Sequence, residues 1–332
     1  MKMEKAKLSD IAKLAGVSKA AAGKALNGGR AQIRVGEETR QRILAAAKQL
    51  HYQPNMAASI LAGGSSKLIG IFIDSFSNYR TQRLLQEIER HSSQLGYRIM
   101  TSFSHDNIAH MKEDYLMLQR YGVVGFICCA HDYPGFKNEV MELFAGAGNV
   151  VFMEKPPVPD MPYVRTSRVE ALTRMIADAR REGYRKFGIL HTDQIYQTER
   201  VLRQEFMQAM KNNGMEPDEK LIFEYLGKAS PKTRILQAIE KMILPNRPDF
   251  LYIDDAIYTS ALRTQLEGTG LKIRLQGGDG DPLFEVINVP SFDPCYGKLA
   301  AELLDLLLHP EKRKENPVIE AVYRKEAEQF IN

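Results

Sequence analysis

From residue 68 onward the chain repeats one pattern: a short apolar run, a helix-length amphipathic segment, then another apolar run. The runs at 68–73, 97–102, 123–129 and 149–153 have the length and composition of strands, and 80–95 and 109–120 read as the helices between them. The alternation resumes after Ala171, with strands near 187–190, 221–226, 250–253 and 272–276. Few folds accommodate such a chain. Strands separated by helices pair in parallel, and parallel sheets are covered by helices on both faces. Two series of similar length predict two α/β lobes. The proline-rich stretch 156–162 is the expected first crossing between them, and "VPSFDP" at 289–294 the second.

With 332 residues the chain is too long for one compact core, so more than one domain is expected. No apolar run approaches the roughly 18 residues of a membrane span, and the charged N-terminus has no apolar signal-peptide core. A cytoplasmic protein without a membrane partner is the expectation. Three cysteines, two of them adjacent, cannot build a disulfide framework or a zinc site, so neither a metal nor a cofactor is expected. "GAGNVV" at 146–151 precedes a strand, whereas a dinucleotide-binding glycine loop follows one. No nucleophile elbow, phosphate loop or His-Glu-x-x-His stands out, so the chain does not read as an enzyme.

The net charge of +4 conceals an asymmetry. Residues 1–67 hold 12 Lys and Arg against 4 Asp and Glu, which is +8, and the remainder of the chain is therefore −4. The basic head is patterned. A helix through Asp10–Ala15, capped by Ser9 or Leu8, places Ile11, Leu14 and Ala15 on one face. Gly16 allows a tight turn, and Ser18 can cap a second helix over 19–26. Two short helices around a glycine turn make a helix-turn-helix, whose second helix enters the major groove N-terminus first. Lys19, Ala20 and Lys24 then face the DNA, with the alanines and glycine of "KAAAGKAL" allowing close approach. A third helix over 37–50 follows, then a short one over 54–62 opened by Pro54 and closed by Gly63-Gly64. Two turns are too few to persist alone in water.

"LSDIAKLAGVS…ALN", "EETRQRIL", "YQPN" and "LAG" followed by "IGIFI" stand in the order and spacing of the lactose-repressor (LacI/GalR) family of bacterial transcription regulators, which the chain resembles over its whole length. "GYRKFGIL" at 183–190, "GGDGD" at 277–281 and "YGKLAAELL" at 296–304 also look like the family. The resemblance implies a small all-α helix-turn-helix head over 1–53, a hinge helix and linker over 54–67, and a two-lobed body over 68–332 like the periplasmic sugar-binding proteins. The lobes are then about 68–160 with 292–317, and about 161–291 with 318–332, the last strand near 318–323 crossing back. It implies a homodimer on palindromic duplex DNA. Lys19, Ala20 and Lys24 read bases, Ser18 and Asn27 contact phosphate or cap the helix, Asn55 and Ala58 touch DNA from the hinge, and Leu61 wedges into the minor groove. Where the family has Thr-Val-Ser this chain has Ala21-Ala22-Gly23, and the segment from Asn27 to Val35 is longer. Arg30 and Arg34 in that segment either replace the lost phosphate contacts or lie on a solvated loop.

Ligands of open α/β sheets bind beyond the carboxyl ends of the strands. Phe76 and Asn78 follow the first strand, Glu154 the fourth, Asp254-Asp255 the strand at 250–253, and Asp279 the strand at 272–276. The resemblance assigns Glu154, Asp254 and Asp279 to an effector cleft for a small polar ligand, a sugar or related polyol; each also suits a helix N-cap. Leu202 stands where the family carries a cleft arginine, and Arg200 is the nearest substitute. Dimer contacts are expected from body helices, the amphipathic 297–308 segment or its neighbours. The rival reading, a solute-binding protein of periplasmic type, fits the body but not the basic head.

Overall fold

In a computed structural model of the protein the described residues are 6–27, 35–53, 65–73, 79–103, 107–131, 135–192, 201–225, 230–278, 280–312 and 316–323. Among the described residues the head contains three helices, α1 (Leu8–Ala15), α2 (Lys19–Asn27) and α3 (Glu37–Gln49). They close on a small core of Ile11, Ala12, Ala15, Ala22, Ile43 and Ala46. The first helix starts earlier than expected, and neither Ser9 nor Leu8 caps it, because both are inside it. Asp10 reaches back instead, its Oδ2 accepting from the Lys7 N–H at 2.8 Å, which satisfies a donor that the helix start leaves unpaired. Gly16 ends α1 at φ +67°, the left-handed geometry glycine adopts without a Cβ penalty. Ser18 caps α2 as expected, its Oγ accepting from the Ala21 N–H at 3.1 Å. The 54–62 hinge segment lies outside the described residues.

Among the described residues the body holds three sheets. Strands β1 (Leu68–Ile73), β2 (Arg98–Phe103), β3 (Gly125–Cys128), β4 (Val150–Met153), β5 (Tyr163–Ser167) and β11 (Val318–Glu320) form the first, in the order β11-β5-β4-β3-β1-β2. The second orders β7 (Ile222–Tyr225), β6 (Phe187–Thr192), β8 (Phe250–Ile253) and β9 (Arg274–Gly277) as β7-β6-β8-β9, parallel throughout. A two-stranded antiparallel piece pairs β10 (Phe292–Asp293) with β12 (Val322–Tyr323). Every strand expected from the apolar runs is present within two residues of its predicted ends.

The crossing points differ from the sequence expectation. Residues 163–167 pair in parallel with β4 in the first sheet, so the chain leaves that lobe at Arg168 rather than at the prolines of 156–162. Residues 318–320 pair with β5, so the last strand also begins in the first lobe and crosses only at Ala321. Proline marks where a chain turns, not which sheet it joins next. The second crossing does follow β10, within the expected stretch.

Side-chain alternation along β8 shows how the second sheet is covered. Phe250 and Tyr252 point into a core with the helices Val169–Arg181 and Val201–Asn212. Leu251 and Ile253 point the other way, toward the helices Pro231–Ala238 and Ala256–Leu266. Period two sends successive residues to opposite faces, and both faces here are apolar. In the first lobe, Phe72, Tyr115, Phe126, Phe144 and Phe152 form one aromatic cluster, with Tyr115 and Phe126 centroids 4.7 Å apart. The helix Tyr296–Leu308 buries Leu299, Leu303, Leu304, Leu306 and Leu307 within its own chain. It packs on β3, β4, β5 and the helix Tyr79–Gln94, so its apolar face is core, and of the expected dimer elements its neighbours or its remaining surface are left.

Candidate functional site

In the head, α2 has two dissimilar sides. Ser18, Lys19 and Ala20 are exposed and Lys24 is half-buried. Ala22 is fully buried between α1 and α3. A Cβ added to Gly23 would stand 3.2 Å from Leu8 Cδ2. Two of the small residues therefore exist for helix packing and not for approach to a partner, which corrects the uniform reading of "KAAAGKAL". Their small size lets α2 lie close on α1, leaving Lys19, Ala20 and Lys24 as the outward face. Ala22→Leu should lower head stability by about 1–3 kcal/mol through overpacking, read as an earlier melting transition of the full chain. Asn27 ends α2, but its side chain, with Arg30, Arg34, Asn55, Ala58 and Leu61, lies outside the described residues.

In the body, two of the six expected ligand residues are described. Asp254 directly follows β8 and is 1% exposed. Its Oδ2 lies 3.8 Å from Arg80 Nη2, on the helix that follows β1. Because β1 and β8 belong to different sheets, this ion pair joins segments that follow a strand of each lobe. Asp255 does what an acid before a helix does: its Oδ1 accepts from the Ile257 and Tyr258 N–H groups at 2.8 and 3.1 Å. Burial and the adjacent Asp254 push its carboxyl above the ordinary value, against the pull of those N–H groups and Arg80. Beyond it, Arg234 donates to the Tyr258 hydroxyl at 2.8 Å, its guanidinium carbon 6.0 Å from the ring centroid.

Glu154 follows β4 at φ +65°, and one of its carboxylate oxygens is taken by a neighbouring strand. Its Oε1 accepts from the Thr166 N–H at 3.1 Å and the Thr166 hydroxyl at 2.7 Å. Thr166 Oγ1 is in turn 3.3 Å from Arg168 Nη1. Arg168 sits on the crossing between lobes, 8% exposed, beside Glu205 of the Val201–Asn212 helix, 4% exposed. Glu205 Oε1 accepts from the Arg168 N–H at 3.2 Å, and Oε2 lies 3.6 Å from Arg168 Nη1. Burial opposes the guanidinium charge, but Glu205, Tyr252 and Glu154 outweigh it and raise the arginine above its ordinary value. Burial also raises the Glu205 carboxyl, while Arg168 opposes that shift.

His131, three residues past β3, is 5% exposed and packs edge-on against Phe152, centroids 5.2 Å apart. Its Nε2 lies 2.7 Å from the Met153 carbonyl, which assigns the proton to that nitrogen. Burial lowers this imidazole to about 4. Phe76, Asn78, Arg200 and Asp279 lie outside the described residues. Among the described residues no His, Cys, Asp and Glu side chains group to hold a metal ion, and no helix is long and apolar enough to cross a membrane.

The sequence reading missed Arg80, Arg168, Glu205 and His131. Arg80 and His131 carried a usable signal, since each lies just beyond a strand's carboxyl end. Glu205 carried none, being an acid in mid-helix whose partner is 37 residues away.

Comparison with known proteins adds the following. Residues 7–55 match the family model "Bacterial regulatory proteins, lacI family". The sucrose operon repressor of Klebsiella pneumoniae is 31% identical over 179 residues, 53% of this chain and 52% of the relative. The fructose operon regulatory protein of Vibrio cholerae is 38% identical over 100 residues, 30% of this chain and 31% of that protein. The chain thus spans about half or less of the length of these curated relatives. Among solved structures, the lac repressor dimer bound to operator and the anti-inducer ONPF superposes with a TM-score of 0.76 at 20% identity, over 97% of this chain and 98% of that one. At that identity the likeness shows the fold: a helical head followed by a two-lobed parallel α/β body.

Proposed function

We propose that the chain is a member of the lacI family of bacterial regulatory proteins, whose model its residues 7–55 match, and that it is a sequence-specific, non-enzymatic transcription regulator, a repressor, that binds palindromic duplex DNA as a homodimer. One observation carries the reading: a serine-capped helix presents Lys19 and Ala20 to solvent while its opposite side, through Ala22 and Gly23, is locked into the head. Ser18, Lys24, Asn27, Arg30, Arg34, Asn55 and Ala58 complete the DNA contacts in this reading, and Leu61 of the 54–67 hinge wedges the operator. Selection of duplexes from a randomised pool tests it. The parent enriches a two-fold symmetric site, and Lys19→Ala shifts preference at one base pair per half-site by about 1–3 kcal/mol. Equal weakening on all sequences would reduce Lys19 to a phosphate contact, and no enriched site would sink the reading.

Control by a small polar effector between the lobes, a sugar or related polyol, is the second half of the proposal. It is supported by the sugar operons named for the relatives and by the polar strand ends, Asp254 and Arg80 among them. Glu154, Phe76, Asn78, Arg200 and Asp279 are proposed as further contacts, Glu154 only through the oxygen not bonded to Thr166. A thermal-shift screen of sugars and polyols on the full chain should find a stabilising ligand. Asp254→Asn should weaken it by about 1.5–3 kcal/mol, the scale of a hydrogen bond to a charged group. Undiminished affinity would move the site elsewhere. Dimer contacts are proposed for the second lobe, where Ile257 and Val286 are 57% and 81% exposed, rather than for the 296–308 helix.

A further inference from the structure

The first crossing between the lobes is held by charge. A continuous polar chain runs from Glu154, at the end of β4, through Thr166 of β5 to Arg168, and on to Glu205 of the second lobe's Val201–Asn212 helix. The third crossing is tied to the same point, the Ala321 N–H donating to the Ser167 carbonyl at 2.8 Å. Crossing segments are where one lobe turns on another, and most contacts there are indifferent to small rotations because dispersion is non-directional. A buried ion pair is different: Glu205 Oε2 lies 3.6 Å from the Arg168 guanidinium, and in a desolvated place the attraction between the two charges depends on their separation, while the guanidinium's own directional hydrogen bond goes to Thr166 Oγ1. Glu205 also holds the Arg168 backbone N–H, so it grips the crossing peptide and the crossing side chain together.

We propose that the buried Arg168–Glu205 pair is a charged lock on the interlobe crossing, and that both are positioning residues which set the angle between the lobes. The proposal goes beyond the effector reading and does not depend on which ligand binds. Its test needs none: spin labels at Glu139→Cys in the first lobe and Lys211→Cys in the second, both exposed positions, with Cys129 and Cys295 replaced by serine. Pulsed dipolar spectroscopy on the full chain, diluted with unlabelled protein, reads the interlobe distance distribution. Glu205→Gln keeps an acceptor for the Arg168 N–H and removes the charge; the distribution should broaden and its mean shift. Arg168→Lys keeps the charge without the fork, and should lie between parent and Glu205→Gln; it also serves if Glu205→Gln does not fold. A lower melting temperature with an unchanged distribution in the folded variants would mark an ordinary structural ion pair and overturn the proposal, as would two variants that match the parent in both readouts.

Discussion

Arg168→Met is expected to lower the unfolding free energy of the body by about 3–5 kcal/mol, the cost of leaving one member of a buried ion pair behind. Glu205 is 4% exposed, and its Oε2, which has no hydrogen-bond partner among the described residues, would lose the guanidinium charge 3.6 Å away. Pairing Arg168→Met with Glu205→Leu should recover most of that loss. Removing both charges removes the desolvation penalty, and side chains of similar bulk fill the space. The pair also separates stability from positioning: a double variant as stable as the parent but with a changed interlobe distance would show that the charges serve geometry. Urea unfolding of the four proteins of this cycle, followed by tyrosine fluorescence, checks the outcome. Additive single losses, with no recovery in the double variant, would show that the two side chains act independently.

The architecture was legible because its signals are local. Each strand of the second sheet lies in or at the end of a short run rich in apolar residues, and Phe250–Ile253 matched its expected limits to the residue. Gly16 and Ser18 announced the turn and the α2 cap by their chemistry alone. The errors arose wherever the answer depended on a distant partner. Prolines at 156–162 suggested a lobe boundary, but strand pairing, which decides it, is made by Tyr163 and Val164 with Phe152 and Met153. The 296–308 helix is amphipathic whether its partner is its own chain or a second one, and only the fold shows Leu303 and Leu307 inside. The carboxylates at strand ends were visible in the sequence, which left open whether each lines a cleft or caps a helix. Glu154 serves Thr166, Asp255 caps a helix, and Asp254 faces Arg80, a residue 174 positions away that no spacing rule connects to it. In the head, the pattern of small residues was visible, but its division between packing and exposure required the position of Leu8.

Acid should destabilise the body through His131, and the effect should vanish in His131→Gln. The imidazole has an ordinary value of 6.5 and is lowered to about 4 by burial, so the folded chain resists a proton that the unfolded chain accepts. Stability from this group is fully present above pH 6.5. It falls as pH drops from 6.5 toward 4, and is constant again below. By pH 4 the loss amounts to about 3 kcal/mol, because each step of one in pH between those two values removes roughly 1.4 kcal/mol. Glutamine places an amide N–H where Nε2 donates to the Met153 carbonyl, so the hydrogen bond is kept while the titration is removed. The raised carboxyls of Glu205 and Asp255 act with the opposite sign, because a folded group that holds its proton more tightly gains stability as pH falls. Their contribution is common to both proteins and cancels in the difference between parent and His131→Gln. Urea midpoints measured for each at pH 7 and pH 4.5 give that difference directly. Equal losses in the two proteins would remove His131 as the source of the acid sensitivity.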